Sequence, residues 1–343
     1  MKPDGHKFYD FIHFFLIDSP VFNTSVQEII NSSDYKYKHL FVYRYESGLK
    51  EYQEVGNEII DNEIGNAGKV HEYLSKGKWL ILHSLSYSNH EISKVCEEDA
   101  RQIIWCVWGS DLYDIKKKHT ILYTLLRGLY RKMVHKEPVN EEKRNKTKIV
   151  NSFRGIVIGF KGDKYELCKQ YSQDIPIYNA LYPSGYYIEE VEQAVNLQNG
   201  KHKNIQVMVG HCGYAFLQHK KCLKRLLKYK EYIDIHIPLC YGDMEYAGKV
   251  QKYAYTFFKK ERVHIYHSMM SPKNYIRLLN SMDFVLFDFN HQAAFGNIIL
   301  LLYLEKNIYL SPSGVMYKNL KAEGIDVFDI TEVGYKTLNE LTG

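Results

Sequence analysis

No two cysteines in this chain stand at C-x-x-C spacing, although six are present: Cys96, Cys106, Cys168, Cys212, Cys222 and Cys240. Zinc and dithiol redox motifs are therefore missing, and six scattered thiols in 343 residues do not imply a disulfide framework. Reduced thiols in a cytosolic protein are the expectation. Long apolar runs are also missing. Ile298–Leu304 stops at Glu305, far short of the ~20 residues a spanning helix requires. Phe11–Ile17 contains His13, follows Asp4 and Asp10, and lacks a small-residue cleavage site, so it reads as a buried strand rather than a signal peptide. Eight prolines and 22 glycines are too few for a linker-dominated chain, and 45% hydrophobic residues exclude the disordered class. Neither a P-loop nor G-x-G-x-x-G occurs, and there is no Asp-x-Asp pair to anchor a diphosphate-bound metal ion.

Charge is mildly positive overall, +5, which does not point to nucleic acid as a partner. Its distribution is uneven. Residues 116–154 hold twelve Lys/Arg against three acids, leaving the remainder slightly acidic. Within this stretch Lys116–Val134 has an apolar stripe at helical spacing (Ile121, Leu122, Leu125, Leu126, Leu129, Met133), with Lys116, Lys117, Arg131 and Lys132 off it. A basic amphipathic helix suits peripheral attachment to an anionic membrane surface; a core-facing helix with solvated charges has the same pattern.

Short apolar runs alternate with helical stretches. Phe8–Ile17, His39–Tyr45, Lys78–His83, Gln102–Trp108 and Gly155–Phe160 read as strands buried on both faces. Asn204–Gly210, Ile233–Leu239, Arg262–Tyr266, Asp283–Phe289 and Asn307–Ser311 repeat the pattern, separated by helices at Leu217–Lys230, Asp243–Phe258, Pro272–Ser281 and Ala293–Leu304. This predicts an α/β protein of two doubly wound, Rossmann-like domains, over residues 1–178 and 204–343, joined by a polar linker at 179–203. In such folds ligands bind outside the carboxyl ends of the strands, in a cleft between facing domains.

Residues directly after strands are thus the candidates. Asn204–Val209 runs into Gly210-His211-Cys212-Gly213 and a helix bearing His219. Such a turn lets backbone N–H groups approach an anion at a helix N-terminus, but an ordinary βα turn looks the same. Gln292, Gly296 and Asn297 flank the start of a strongly apolar helix, as a binding-site lip or as helix-capping residues. Trp108, Gly109 and Asp111 follow another strand, with Asp111 a candidate general base or a cap. His13 and Asp18 lie at the end of the first strand, where either catalysis or a structural role is possible.

Trp105–Ile115, the Val-Gly-x-x-Gly turn ending at Gly213, Pro238-Leu239-Cys240-Tyr241-Gly242 and Gln292…Gly296 occur in this order. In these the chain resembles glycosyltransferase family 56, the TDP-N-acetylfucosamine:lipid II N-acetylfucosaminyltransferases. The resemblance extends from the first strand to about Leu320. The family's usual Val-Gly-Asn-Ser-Gly is here Val-Gly-His211-Cys212-Gly, and its Arg-Gln-Gln is Asn290-His291-Gln292. It implies a GT-B fold and transfer of a 4-acetamido-4,6-dideoxyhexose from a dTDP-sugar donor to a polyprenyl-diphosphate-linked acceptor, at the cytoplasmic face of the inner membrane. No cofactor and no metal are implied. Gly210, His211, Gly213, His219, Tyr241, Gln292, Gly296 and Asn297 would contact the donor. Trp108, Gly109 and the basic residues would meet acceptor and membrane, with Asp111, Asp18 or His13 as the catalytic group. A nucleotide-sugar epimerase of the same architecture and a non-catalytic scaffold are the alternatives.

Overall fold

A computed structural model describes residues 9–15, 26, 30, 37–43, 77–85, 102–109, 111–113, 146–180, 186–196 and 202–343. The chain divides into two compact units, Met1–Pro183 and Ser184–Gly343. In the first, strands β1 (Tyr9–Phe15), β2 (His39–Tyr43), β3 (Gly77–His83), β4 (Ile103–Cys106), β5 (Gly155–Ile158) and β6 (Ile177–Asn179) form one sheet in the order β2-β1-β3-β4-β5-β6. Every pairing in it is parallel. Ile12, Phe14, Leu80, Leu82, Ile103, Trp105 and Ile156 fill its main core, and helix α1 (Lys161–Gln170) adds Leu167.

The second unit holds β7 (Ile205–Val209), β8 (Ile233–Pro238), β9 (Val263–Tyr266), β10 (Phe284–Phe287), β11 (Asn307–Leu310) and β12 (Phe328–Asp329), again all parallel. Their order, β12-β11-β10-β7-β8-β9, is the doubly wound dinucleotide-binding order. The order reverses between β7 and β10, which opens a crevice at their carboxyl ends. Around the sheet lie α2 (Ile188–Val195), α3 (His219–Leu226), α4 (Met244–Phe257), α5 (Pro272–Asn280), α6 (Phe295–Tyr303), α7 (Val315–Ala322) and α8 (Leu338–Thr342). Local chemistry fixes several starts. Asp243 accepts the Tyr246 N–H at α4, Ser271 caps α5 ahead of Pro272, and Thr337 with Glu340 forms a capping box at α8.

A strand lies within or across each of the ten expected runs, and the edge strands β6 and β12 are additional among the described residues. The linker expected at 179–203 is corrected. Its centre is α2, which buries Val191 and Ala194 and packs on α5, so the segment from Ser184 onward belongs to the second unit, while Asn179 closes β6 of the first. Three glutamates among eight residues concealed that narrow apolar contact. The helix expected at Lys116–Val134 lies outside the described residues. No helix of the described residues is long and apolar enough to cross a membrane.

Candidate functional site

At the crevice of the second unit, β7 ends in Gly210, whose φ of +68° favours glycine. A Cβ there would lie 2.3 Å from His219 Nε2. Three residues on, Gly213 N–H donates to the Tyr241 carbonyl at 2.7 Å, and the Gly213 carbonyl accepts from Asp243 N–H at 3.0 Å. Gly242 (φ +113°) lies so close that a Cβ on it would stand 2.8 Å from the Gly213 carbonyl carbon. The turns after β7 and β8 are thus joined backbone to backbone. Burial pushes the Cys212 thiol up to about 12.

The loop after β10 is anchored as firmly. The Asp288 carboxylate is 1% exposed and pairs with Lys221 Nζ at 2.8 Å. Asn290 Oδ1 accepts from the Ser313 hydroxyl at 2.9 Å and from Ser311 at 3.3 Å, while its carbonyl accepts from Val315 N–H. Gly314 permits this approach, since a Cβ there would meet the Phe289 carbonyl oxygen at 2.5 Å. Ala294 then takes a left-handed conformation (φ 56°), and α6 begins with no side-chain cap. The sequence pattern placed the helix start at Ala293; the left-handed residue delays it to Phe295. Gly296 and Asn297 fall in its first turn, where backbone N–H groups lack intrahelical partners.

Around these loops His211 Nδ1, His219 Nε2, His291 Nε2 and Gln292 Oε1 are buried without a hydrogen-bond partner, whereas Asp288 Oδ2 has its ion pair with Lys221. Native proteins leave few such atoms, and a group of them needs a cause. Burial is the main influence on all three imidazoles. It lowers His211 to about 4, aided by His291, and His219 to about 3, aided by His211; His291 is also lowered. Near neutrality the rings are uncharged. A ligand rich in acceptors and negative charge, seated against the uncapped α6, would supply partners for His211 and His291, and a hydroxyl or N–H on it would serve Gln292 Oε1.

His219 is not a surface for such a ligand. It has no exposed area, its Nδ1 lies 3.3 Å from the Tyr246 hydroxyl, and its other nitrogen fills the space a side chain at Gly210 would need. It supports the turn from behind, which corrects its expected role as a donor contact. Tyr241 is 45% exposed and Gln292 is 9% exposed.

In the first unit the expected residues that are described are engaged with their neighbours. Both Asp111 oxygens are occupied: Oδ2 accepts from Leu85 N–H at 2.9 Å and Trp105 Nε1 at 2.8 Å, and Oδ1 from Trp108 N–H at 3.0 Å. Burial raises its pKa, against the lowering effect of these donors. Lys146 clasps the Asp111 carbonyl, and Gly109 (φ +94°) turns its carbonyl to the N–H groups of Leu112 and Tyr113. Trp108 packs beside Phe15 and Phe41. Asp111, Gly109 and Trp108 hold this turn together, a structural task where sequence reasoning placed a base and an acceptor lip. His13 is buried in a line of three imidazoles, its Nδ1 3.0 Å from His83 Nε2 and its Nε2 3.0 Å from His39 Nδ1. Burial, then His83 and His39, hold its pKa well below the usual value. Asp18, Lys116, Lys117, Arg131 and Lys132 lie outside the described residues.

Sequence reasoning missed the Asp288–Lys221 pair, the Tyr246 partner of His219 and the Asn290 anchor. The last had a signal in Ser311-Pro312-Ser313-Gly314, a turn directly after an apolar run. No group of three or more His, Cys, Asp or Glu arranged to hold a metal ion occurs among the described residues.

Two parallel-sheet α/β units of this kind define the GT-B class, and solved structures agree. HepE from Anabaena, in complex with UDP and glucose, superposes with a TM-score of 0.66 at 10% identity, over 97% of this chain and 92% of that one. WaaG, a glycosyltransferase involved in lipopolysaccharide biosynthesis, gives 0.55 at 9% identity, over 97% and 90%. The UDP-GlcNAc 2-epimerase from Neisseria meningitidis, bound to UDP-GlcNAc, gives 0.56 at 12%, over 95% and 89%. Within that class, the profile described as 4-alpha-L-fucosyltransferase glycosyl transferase group 56 matches residues 149–340, more than half of the chain, and the chain belongs to that family. It is a nucleotide-sugar glycosyltransferase.

Proposed function

We propose that the second unit binds the nucleotide-sugar donor at the β7/β10 crevice, and that the enzyme transfers a 4-acetamido-4,6-dideoxyhexose from a dTDP carrier to a polyprenyl-diphosphate-linked saccharide. The unpartnered polar atoms of His211, His291 and Gln292 beside the uncapped α6 carry the donor half of this reading. Gly210, His211, Gly213, Tyr241, Gln292, Gly296 and Asn297 form the donor contacts in this reading. The sugar and acceptor rest on the sequence resemblance alone.

In the reaction the acceptor oxygen forms a bond to the anomeric carbon while the bond to the diphosphate breaks. Charge develops on the leaving diphosphate, where backbone N–H groups and the α6 terminus stabilise it without demanding a metal ion. The acceptor hydroxyl gives its proton to a base in the first unit. Asp111 has both oxygens engaged and His13 both ring nitrogens, so we assign this task to Asp18, three residues beyond the end of β1. The basic stretch around Lys116, Lys117, Arg131 and Lys132 would hold the enzyme to the cytoplasmic face of the inner membrane.

The test is to incubate the protein with dTDP- and UDP-sugars, with and without a prenyl-diphosphate disaccharide. Acceptor-dependent release of dTDP supports the proposal. A new sugar nucleotide formed without acceptor would replace it with epimerisation, and release with UDP-sugars alone would change the donor.

A further inference from the structure

Resting on the donor site just proposed, a second property follows from its charge inventory. The loops leaving β7, β8, β9, β10 and β11 span residues 210–218, 239–243, 267–271, 288–294 and 311–314, and none contains Lys or Arg. Of the cations at the helix starts, Lys273 in the first turn of α5 is exposed to solvent, and the two at the start of α3 are engaged. Lys221 pairs with Asp288, and Lys220 lies over the Tyr253 ring. Of the histidines in these loops, His267 is exposed and bonded to Gln251 at 3.0 Å. His211 and His291 remain, each with a ring nitrogen buried and unpartnered.

We propose that this site takes the positive charge it needs from a proton: binding of a nucleoside-diphosphate sugar protonates the His211–His291 pair. A bound diphosphate supplies both the acceptors those nitrogens lack and the negative charge that favours the imidazolium form.

The surroundings permit it. His219 faces the pair from α3, tied to Tyr246 and held neutral by burial. Phe287 stands edge-on to His211, and Phe216 and Phe289 flank His291. Cys212 and Tyr241 are neutral, as burial raises both. Of the acids in these loops, Asp243 is occupied capping α4 and Asp288 is neutralised by Lys221. No free carboxylate in these loops charges the pair before the ligand arrives.

The sign is fixed by linkage. Burial lowers both imidazoles in the empty site, His211 to about 4, and the diphosphate raises one or both. Binding therefore consumes protons in the window between the empty and bound values. Affinity rises as pH falls through that window, by about tenfold per pH unit for one full proton, and is lost as pH rises through the bound value. A site built on Lys or Arg has no such dependence near neutrality.

UDP-glucose and dTDP-glucose are suitable probes, because their diphosphates lack the terminal phosphate that itself titrates near pH ~6. Calorimetric titration at pH 7 in buffers of different ionisation enthalpy counts the protons. Uptake approaching one proton per ligand, with affinity improving from pH 8 to pH 6, supports the proposal. His291→Asn and His211→Asn keep a polar side chain that cannot be protonated, and each should reduce the count. The wild-type count decides the matter even if a variant folds poorly. Binding without proton uptake, at constant affinity, would overturn this inference and leave the donor site standing. No binding of either nucleotide sugar across the range would overturn both.

Discussion

Replacing Gly210 by alanine tests the turn on which the donor site depends. Its left-handed backbone (φ +68°) costs a residue with a Cβ about 1–2 kcal/mol. The new methyl would also stand 2.3 Å from His219 Nε2, well inside contact distance. That ring has no exposed surface and is tied to Tyr246, so it has little room to retreat. Overpacking of this kind costs about 1–3 kcal/mol. The two effects together make Gly210→Ala about 2–5 kcal/mol less stable, a large share of the ~5–15 kcal/mol typical of folded proteins. The N–H groups that follow would shift as well, so donor affinity should fall. His219→Ala clears the space, and in that background the glycine substitution should cost only the backbone part. Urea unfolding of the wild type, both single variants and the double variant measures the coupling, expected at about 1–3 kcal/mol. Unchanged unfolding of Gly210→Ala, or strictly additive effects, would refute the argument that His219 shapes the turn.

Asp111→Asn should lower the unfolding midpoint, by the equivalent of about 1–3 kcal/mol. Its amide keeps one oxygen and sets N–H groups against either the Trp108 donor or the Leu85 and Trp105 donors. Unaltered stability with turnover down about 10²–10⁴-fold would instead restore Asp111 as the base. Transfer should survive EDTA, since the chain lacks Asp-x-Asp; loss on chelation, reversed by Mn²⁺, would contradict a cation-independent reaction. Reversing the charges of Lys116, Lys117, Arg131 and Lys132 should abolish sedimentation with anionic vesicles at low salt, at about 1 kcal/mol for each residue. Equal sedimentation of variant and wild type would make that stretch a solvated face.

The sheet strands were legible because parallel strands covered on both faces appear as unbroken apolar runs, as in Phe284–Phe287 and Val207–Val209. β6 and β12 were not, being edge strands of three and two residues with partly exposed side chains. α2 escaped because its contact with the core rests on Val191 and Ala194 alone. At the site, the glycines at 210 and 213 announced a turn, and their spacing is local. The roles of Asp111 and His219 are set by partners distant in sequence, Leu85 for one and Tyr246 for the other. No spacing rule reports such partners, so a lone acid after a strand looked free when it was fully engaged.

The direct backbone junction of Gly213 with Gly242 bears on how enzymes of this kind can be recombined. No side chain lies between the two turns to absorb a mismatch, and a Cβ on Gly242 would collide with main chain rather than with a movable group. A chimera whose crossover falls between residues 214 and 241 would draw each half of that junction from a different parent. It would tolerate the exchange only where both parents carry the same geometry. Crossovers placed before β7 or after Asp243 would transfer the pair intact, so a library built to alter donor preference should inherit the two turns as a single cassette.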